Sequence, residues 1–216
     1  MQAEDWLTDT RISYDTVAES YAEMVRPKFA REPYHRAVLR LFAELVNADG
    51  TGKVIDVGCG PGHVTAHLHD LGIEAFGVDL SPAMVELARR DHPDLRFEVG
   101  SMTELALADA SVAGVLAWYS IIHVPDDVIP QVFAHFRRVV RPGGVVLLGF
   151  HMGDEHRLKT SGYGGHPMSV HVYLRPPDRV AAFLQDVGLR VEARIVQEPE
   201  AGTGAPQAYL LARRRD

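Results

Sequence analysis

Cysteine is nearly absent from these 216 residues. Cys59 stands alone, so no intrachain disulfide framework is possible and a reducing compartment, the cytoplasm, is the expected setting. Long apolar runs are missing too. The longest, 112–124, is interrupted by Ser120 and His123 and is too short to cross a bilayer. The opening MQAEDWLTDT has neither the basic start nor the apolar run of a signal peptide, so a soluble chain is expected. Positive charge is in deficit, with 22 Lys and Arg against 29 Asp and Glu and a formal net charge of -7. Such a field repels polyanions, so neither nucleic acid nor a membrane surface is an expected partner, and the short arginine run 213–215 does not reverse that. Repeats and low-complexity tracts are also lacking, and the Gly/Pro-rich stretches 161–167 and 199–206 do not have the make-up of domain linkers. With 46% hydrophobic and 24% charged residues, the chain reads as one domain, 1–216, with a full core.

What is present is an alternation. Short apolar runs bounded by Gly and Asp alternate with segments of helical period, the pattern of βα units in a parallel sheet. Strands are expected at 53–57, 73–79, 95–99, 112–118 and 144–150, each apolar enough to be buried on both faces. Helices are expected at 34–47, 63–71, 82–90, 127–140 and 177–187, with Ser81 as N-cap and Pro82 at the first helical position of the third. After the fifth strand the rhythm changes, and 190–197 with 207–212 reads as a hairpin. An N-terminal helix over 13–25 carries Tyr14, Val17, Ala18, Tyr21 and Met24 at helical spacing. The expected fold is therefore α/β, a doubly wound, mostly parallel seven-stranded sheet with an antiparallel C-terminal hairpin and an N-terminal helical cap over residues 1–33.

The chemistry concentrates after the first strand. VIDVGCGPG is an apolar strand that ends in an acid, Asp56, and runs into Gly58, Gly60 and Gly62 before a helix. Glycine suits a sharp strand-to-helix turn that needs positive φ or lets a ligand lie against the backbone. The dinucleotide fingerprint is GxGxxG, whereas this turn is GxGxG, which favours a ligand without a pyrophosphate. Asp79 ends the second strand at its carboxyl edge, where two carboxylate oxygens can accept from both hydroxyls of a ribose.

VIDVGCGPG, FGVDLSPAMVELAR and RVVRPGGVVLLGF, in that order, resemble the successive motifs of class I S-adenosylmethionine-dependent methyltransferases of the small-molecule, type 11-like kind. The resemblance covers most of the chain. It implies S-adenosylmethionine as cofactor, with the glycine turn, including the backbone of Cys59, against the methionine portion and Asp56 near its amino group. It also implies Asp79 on the ribose and Leu80 and Met84 beside the adenine. Where the family commonly has an acid toward the adenine amino group, this chain has Ser101 followed by Met102. PGG at 142–144 resembles the turn into the fifth strand, and YDTVAESYAEM resembles a segment that folds over the cofactor and brings Tyr14 and Tyr21 near the sulfonium.

Methyl transfer from a sulfonium is an in-line displacement that works largely by alignment and exclusion of water. A hydroxyl, thiol or protonated amine acceptor gains from a base, for which histidine is suited. His151 follows the fifth strand at the ligand-binding rim and is the first candidate for base or acceptor contact, against the alternative of a loop-capping histidine. His123 and Trp118 share the rim and are assigned to the cofactor pocket, against plain backbone bonding and plain core packing. Residues 151–175, offering Tyr163, His166, His171 and Tyr173, read as a mobile substrate lid, with His166 as second catalytic candidate. The alternative is a surface loop with an edge strand at VHVYL. His63, His67 and His69 partly share a helix face, but no carboxylate or cysteine cluster completes a ligand set, so no metal is expected. Cys59 lies inside the turn and is not read as a nucleophile. The sequence thus points to methyl transfer onto O, N or S of a small-molecule acceptor. The alternatives are a nicotinamide-dependent oxidoreductase, disfavoured by the GxGxG spacing and the hairpin, and a non-catalytic S-adenosylmethionine-binding module.

Overall fold

The computed structural model describes residues 5–48, 50, 52–199 and 204–215, so part of the 199–206 stretch lies outside the described residues. Strands β1 (Val54–Val57), β2 (Ala75–Asp79), β3 (Arg96–Val99), β4 (Val112–Trp118) and β5 (Val140–His151) pair in parallel. Strands β8 (Leu189–Gln197) and β9 (Gln207–Arg214) complete a seven-stranded sheet in the order β3-β2-β1-β4-β5-β9-β8, with β9 antiparallel to both of its neighbours. Burial explains the order. β1 and β4 are buried at every residue, as central parallel strands must be, whereas β8 alternates buried or half-buried with exposed positions, as an edge strand does.

Helices cover both faces. Helix α2 (Pro33–Ala48) lays Leu39, Phe42 and Val46 on one face, where they join Val64 and Leu68 of α3 (His63–Asp70) and Val54, Leu116 and Leu147 of the sheet. On the other face Phe133 and Phe136 of α5 (Ile129–Val139) and Leu184 of α6 (Pro177–Asp186) meet Ile55, Val115 and Val146. Each fully buried side chain of this size contributes about 1.5–3 kcal/mol. Helix α4 (Pro82–Asp91) starts as its sequence predicts, with Ser81 Oγ accepting from Met84 N at 3.1 Å and Pro82 in the first turn.

Three features differ from the sequence-based expectations. The N-terminal helix α1 spans Asp5–Arg31 rather than 13–25, because Trp6, 7% exposed, carries it onto the core beyond the expected start and Pro27 does not end it. PGG at 142–144 lies inside β5, not in a turn before it. The ladder to β4 steps from Val112↔Val140 to Gly114↔Val145, a bulge in which a Cβ on Gly144 would come within 2.7 Å of the Ala113 carbonyl oxygen. Finally, the expected irregular lid at 151–175 contains a two-stranded antiparallel ribbon, β6 (Glu155–Ser161) and β7 (Pro167–Leu174). Its period-2 pattern buries Met168 and Val170 against Val17 of α1. Ser13 Oγ accepts from Ser169 N at 2.9 Å, and the buried Arg175 donates from Nε to Asp126 at 2.7 Å. Among the described residues no helix is long and apolar enough to cross a membrane.

Candidate active site

The turn after β1 is built by glycines with different tasks. Gly58 has φ +76°, and a Cβ there would lie 2.3 Å from Cβ of Ser120, whose hydroxyl donates to Val57 O at 2.6 Å. Gly60, at φ +53°, has only Tyr21 near its would-be Cβ, at 3.7 Å, so its backbone faces open space. Gly62 departs from the expected ligand-facing role. Its would-be Cβ meets Phe97 at 2.8 Å and Ala88 at 3.0 Å, and it borders neither chamber described below, so close packing at φ +76° requires the glycine. The Cys59 thiol donates to Gly60 O at 3.7 Å and packs among Phe97, Val85 and Ala88, and burial pushes its pKa well up, which removes nucleophilic character.

Two carboxylates flank this turn. Asp56 is 1% exposed. Its Oδ2 accepts from Thr65 Oγ1 at 2.7 Å, while its Oδ1 is buried and finds no hydrogen-bond partner among the described residues. Burial pushes its pKa up to about 7, although the Thr65 bond pulls the other way. Asp79 accepts from Gly60 N at 2.7 Å through Oδ2 and from Ser81 N at 2.9 Å through Oδ1. Burial raises it to about 6 against those bonds. Each oxygen of Asp79 keeps a further lone pair for a ligand.

Two chambers open around the turn and share Tyr14, Tyr21, Gly58, Gly60, Trp118 and Tyr119. The smaller, about 730 Å³ including open solvent, lies beside Asp79, Leu80, Met84, Ser101 and Met102, with His123 also on its wall. Ser101 Oγ is engaged to Thr103, at 2.7 Å from its Oγ1 and accepting from its N at 3.2 Å. The larger, about 2280 Å³ including open solvent, holds Asp56, His35 and His151.

The roof joins α1 to the ribbon. His123 Nδ1 lies 2.8 Å from the carbonyl oxygen of His171, which can only accept, so Nδ1 carries the proton and Nε2 accepts from Tyr14 Oη at 2.7 Å. Burial pushes His123 down to about 4, which keeps it neutral. Tyr21 packs edge-on between Tyr14 and Tyr163, with ring centroids 5.8 and 4.9 Å away.

In the larger chamber Tyr119 is one of two non-glycine residues with positive φ among the described residues, at +54°, held by its N–H to Gly149 O at 2.8 Å. Tyr209 Oη donates to Gln197 Oε1 at 2.8 Å, so Tyr119 Oη donates to Tyr209 at 3.0 Å and receives from His35 Nε2 at 3.3 Å. Burial lowers His35 to about 4 and lowers His151 as well. A side-chain hydrogen bond with Gln207 acts in the opposite direction on His151.

The structure thus brings together all the expected residues except two, His166 and Gly62. His166 is exposed and borders neither chamber, although its neighbour Tyr163 packs on Tyr21 and lines the larger one. Gly62 serves packing, whereas Cys59 borders the larger chamber as expected while its side chain is buried. Trp6 and His35 line the chambers and Tyr209 packs against Trp118 and Tyr119, although the sequence singles out none of the three. Trp6 precedes the expected start of α1, and Tyr209 hides in an apolar run with the signature of a core strand. Among the described residues no group of three or more His, Cys, Asp or Glu is arranged to hold a metal.

Residues 54–144 match the family model of a methyltransferase domain. Over 104 residues the chain is 32% identical to a demethylmenaquinone methyltransferase of Chlorobaculum parvum, a match covering 48% of this chain and 42% of the relative. Over 108 residues it is 35% identical to a malonyl-(acyl-carrier protein) O-methyltransferase of Pectobacterium atrosepticum, covering 50% and 41%. The chain thus spans less than half the length of these curated relatives. The crystal structure of the Burkholderia thailandensis 1,6-didemethyltoxoflavin-N1-methyltransferase, with 1,6-didemethyltoxoflavin and S-adenosylhomocysteine bound, aligns with a TM-score of 0.73 at 20% identity, covering 100% of this chain and 92% of that one. At that identity the likeness is one of fold.

Proposed function

We propose that this chain, whose sheet has a Rossmann-like order and whose residues 54–144 match the family model of a methyltransferase domain, transfers a methyl group from S-adenosylmethionine to an oxygen, nitrogen or sulfur atom of a small molecule. We place it in the cytoplasm, as one unit in which residues 1–33 cap the donor and 151–175 border the acceptor. The observation that carries this reading is the buried, partnerless Oδ1 of Asp56 beside an open glycine turn. A carboxylate oxygen desolvated in this way calls for a cationic donor, and the ammonium of an amino acid supplies one. Asp79 lies in the adjoining chamber, so a ligand running past Gly58 and Gly60 joins an amino-acid head to a sugar.

The residues fit the donor. Asp56 would hold its ammonium, Asp79 its ribose hydroxyls, and Leu80, Met84, Ser101 and Met102 its adenine. When bound, S-adenosylmethionine supplies an electrophilic methyl group. The chain's own contribution is to orient and to exclude water: Tyr14 and Tyr21 roof the junction of the chambers, neutral His123 fixes Tyr14, and Trp118 walls the junction. His151, kept neutral by burial, would take the acceptor's proton.

Thermal shift with S-adenosylhomocysteine and, separately, with NADH tests the donor assignment, since a ligand selective for the folded state raises Tm by mass action. A shift is expected with the first and none with the second. S-Adenosylhomocysteine binding without methylated product across a broad acceptor panel would identify a non-catalytic module.

A further inference from the structure

Resting on that donor assignment, we propose that the larger chamber takes a flat aromatic acceptor bearing an ionisable hydroxyl, a phenol-type molecule, stacked against Trp118 and Tyr119 with its hydroxyl directed to His151. Tyr119 stands at the centre of an aromatic set, with ring centroids 5.0 Å from His151, 5.4 Å from Trp118, 5.7 Å from His35 and 6.5 Å from Tyr209. Trp118 is itself stacked on Tyr209 at 5.3 Å and 17°, which braces the wall from behind. Tyr21 and Tyr163 supply the opposite roof. Surfaces of this kind favour planar π-systems in offset or edge-to-face contact over saturated rings of equal size.

The backbone of Tyr119 points the same way. A non-glycine residue in the left-handed region is strained, and such residues persist where the surroundings over-determine them, which is common at ligand clamps. Its hydroxyl is tied into the chain from His35 through Tyr209 to Gln197, so the ring is fixed while its polar end asks nothing of a ligand.

Of the polar groups lining the larger chamber, His151 is the one assigned to the acceptor, its ring centroid 5.0 Å from that of Tyr119. Gln207 donates its Nε2 to Ala205 O, so its Oε1 is the atom available to receive a ring N–H of His151, and the other imidazole nitrogen remains an acceptor. An O–H donor matches it. On proton transfer the O–H bond breaks, an N–H bond forms on the imidazole, and the electron pair stays on the oxygen that is to be methylated. The charge of Lys28 acts on both His35 and His151, while Glu32 acts in the opposite sense on His35 and also raises the pKa of Tyr119 and Tyr209.

The test is calorimetric titration of 2-naphthol, its saturated counterpart decahydro-2-naphthol, and naphthalene into the protein saturated with S-adenosylhomocysteine. We expect 2-naphthol to bind at least ten times more tightly than the saturated alcohol, and more tightly than naphthalene in a manner that His151→Leu abolishes while the preference for the aromatic ring remains. Equal binding of the aromatic and saturated alcohols by protein that still takes S-adenosylhomocysteine overturns this proposal alone. Folded protein that takes no S-adenosylhomocysteine overturns the donor assignment and this proposal with it.

Discussion

Tyr14 Oη and Nε2 of His123, 109 residues apart in the chain, lie 2.7 Å from one another, and the other nitrogen of the same imidazole reaches the His171 carbonyl at 2.8 Å. One buried neutral ring therefore ties α1, the 121–123 turn and the ribbon into a single roof over the site. Removing the hydroxyl in Tyr14→Phe leaves a buried acceptor unsatisfied, which costs about 1–3 kcal/mol. Urea denaturation should show that loss, and hydrogen exchange should show faster opening of β7 than in the wild type. Unchanged protection of β7 would mean that the hydrogen bond does not hold the roof.

Gly60 and Gly62 look alike in sequence and should behave differently. Gly62→Ala forces a methyl group onto Phe97 at φ +76°, so it should lower stability by about 1–3 kcal/mol with donor affinity kept in the folded fraction. Gly60→Ala has room apart from Tyr21, so it should chiefly weaken S-adenosylhomocysteine binding. Calorimetry and denaturation of both variants separate the roles, and reversal of the pattern would refute them.

Asp56 ties stability to pH. Its folded pKa is about 7, above the ordinary 3.8, so the folded state holds more protons between those values. The stability it allows is full below about pH 4 and is lost as pH rises through about 7. Buried neutral His35, His63 and His123 act in the opposite direction over part of this range, so the Asp56 contribution is read as a difference: the Tm of ligand-free wild type relative to Asp56→Asn should fall between about pH 5 and pH 8. An ammonium-bearing ligand should flatten the wild-type slope, and a wild-type slope equal to that of the variant would contradict this role.

His151→Gln should lower turnover by about a hundredfold or more, the usual worth of a positioned base, with S-adenosylhomocysteine affinity unchanged. Undiminished turnover with a productive acceptor would make His151 a rim residue only.

Much of this was legible in the chain. β1, β2 and β4 announce themselves as apolar runs, and Ser81-Pro82 marks the start of α4. Asp56, Asp79 and the first two glycines follow from a strand–turn–helix pattern alone. The ribbon was harder to read, because the alternation of Met168, Val170 and Val172 lies in a segment rich in glycine and histidine and is fixed by contact with Val17, a long-range partner. Tyr119 could be placed at a strand end, but its positive φ and its neighbours His35 and Tyr209 depend on packing between elements far apart in sequence.

The most direct test of the central claim is calorimetric titration of S-adenosylhomocysteine into the wild type and into Asp79→Asn. Saturable one-to-one binding, weakened at least tenfold or by about 1.4 kcal/mol in the variant, is the outcome this account requires. No binding by folded wild-type protein, or equal affinity in the two proteins, would contradict it.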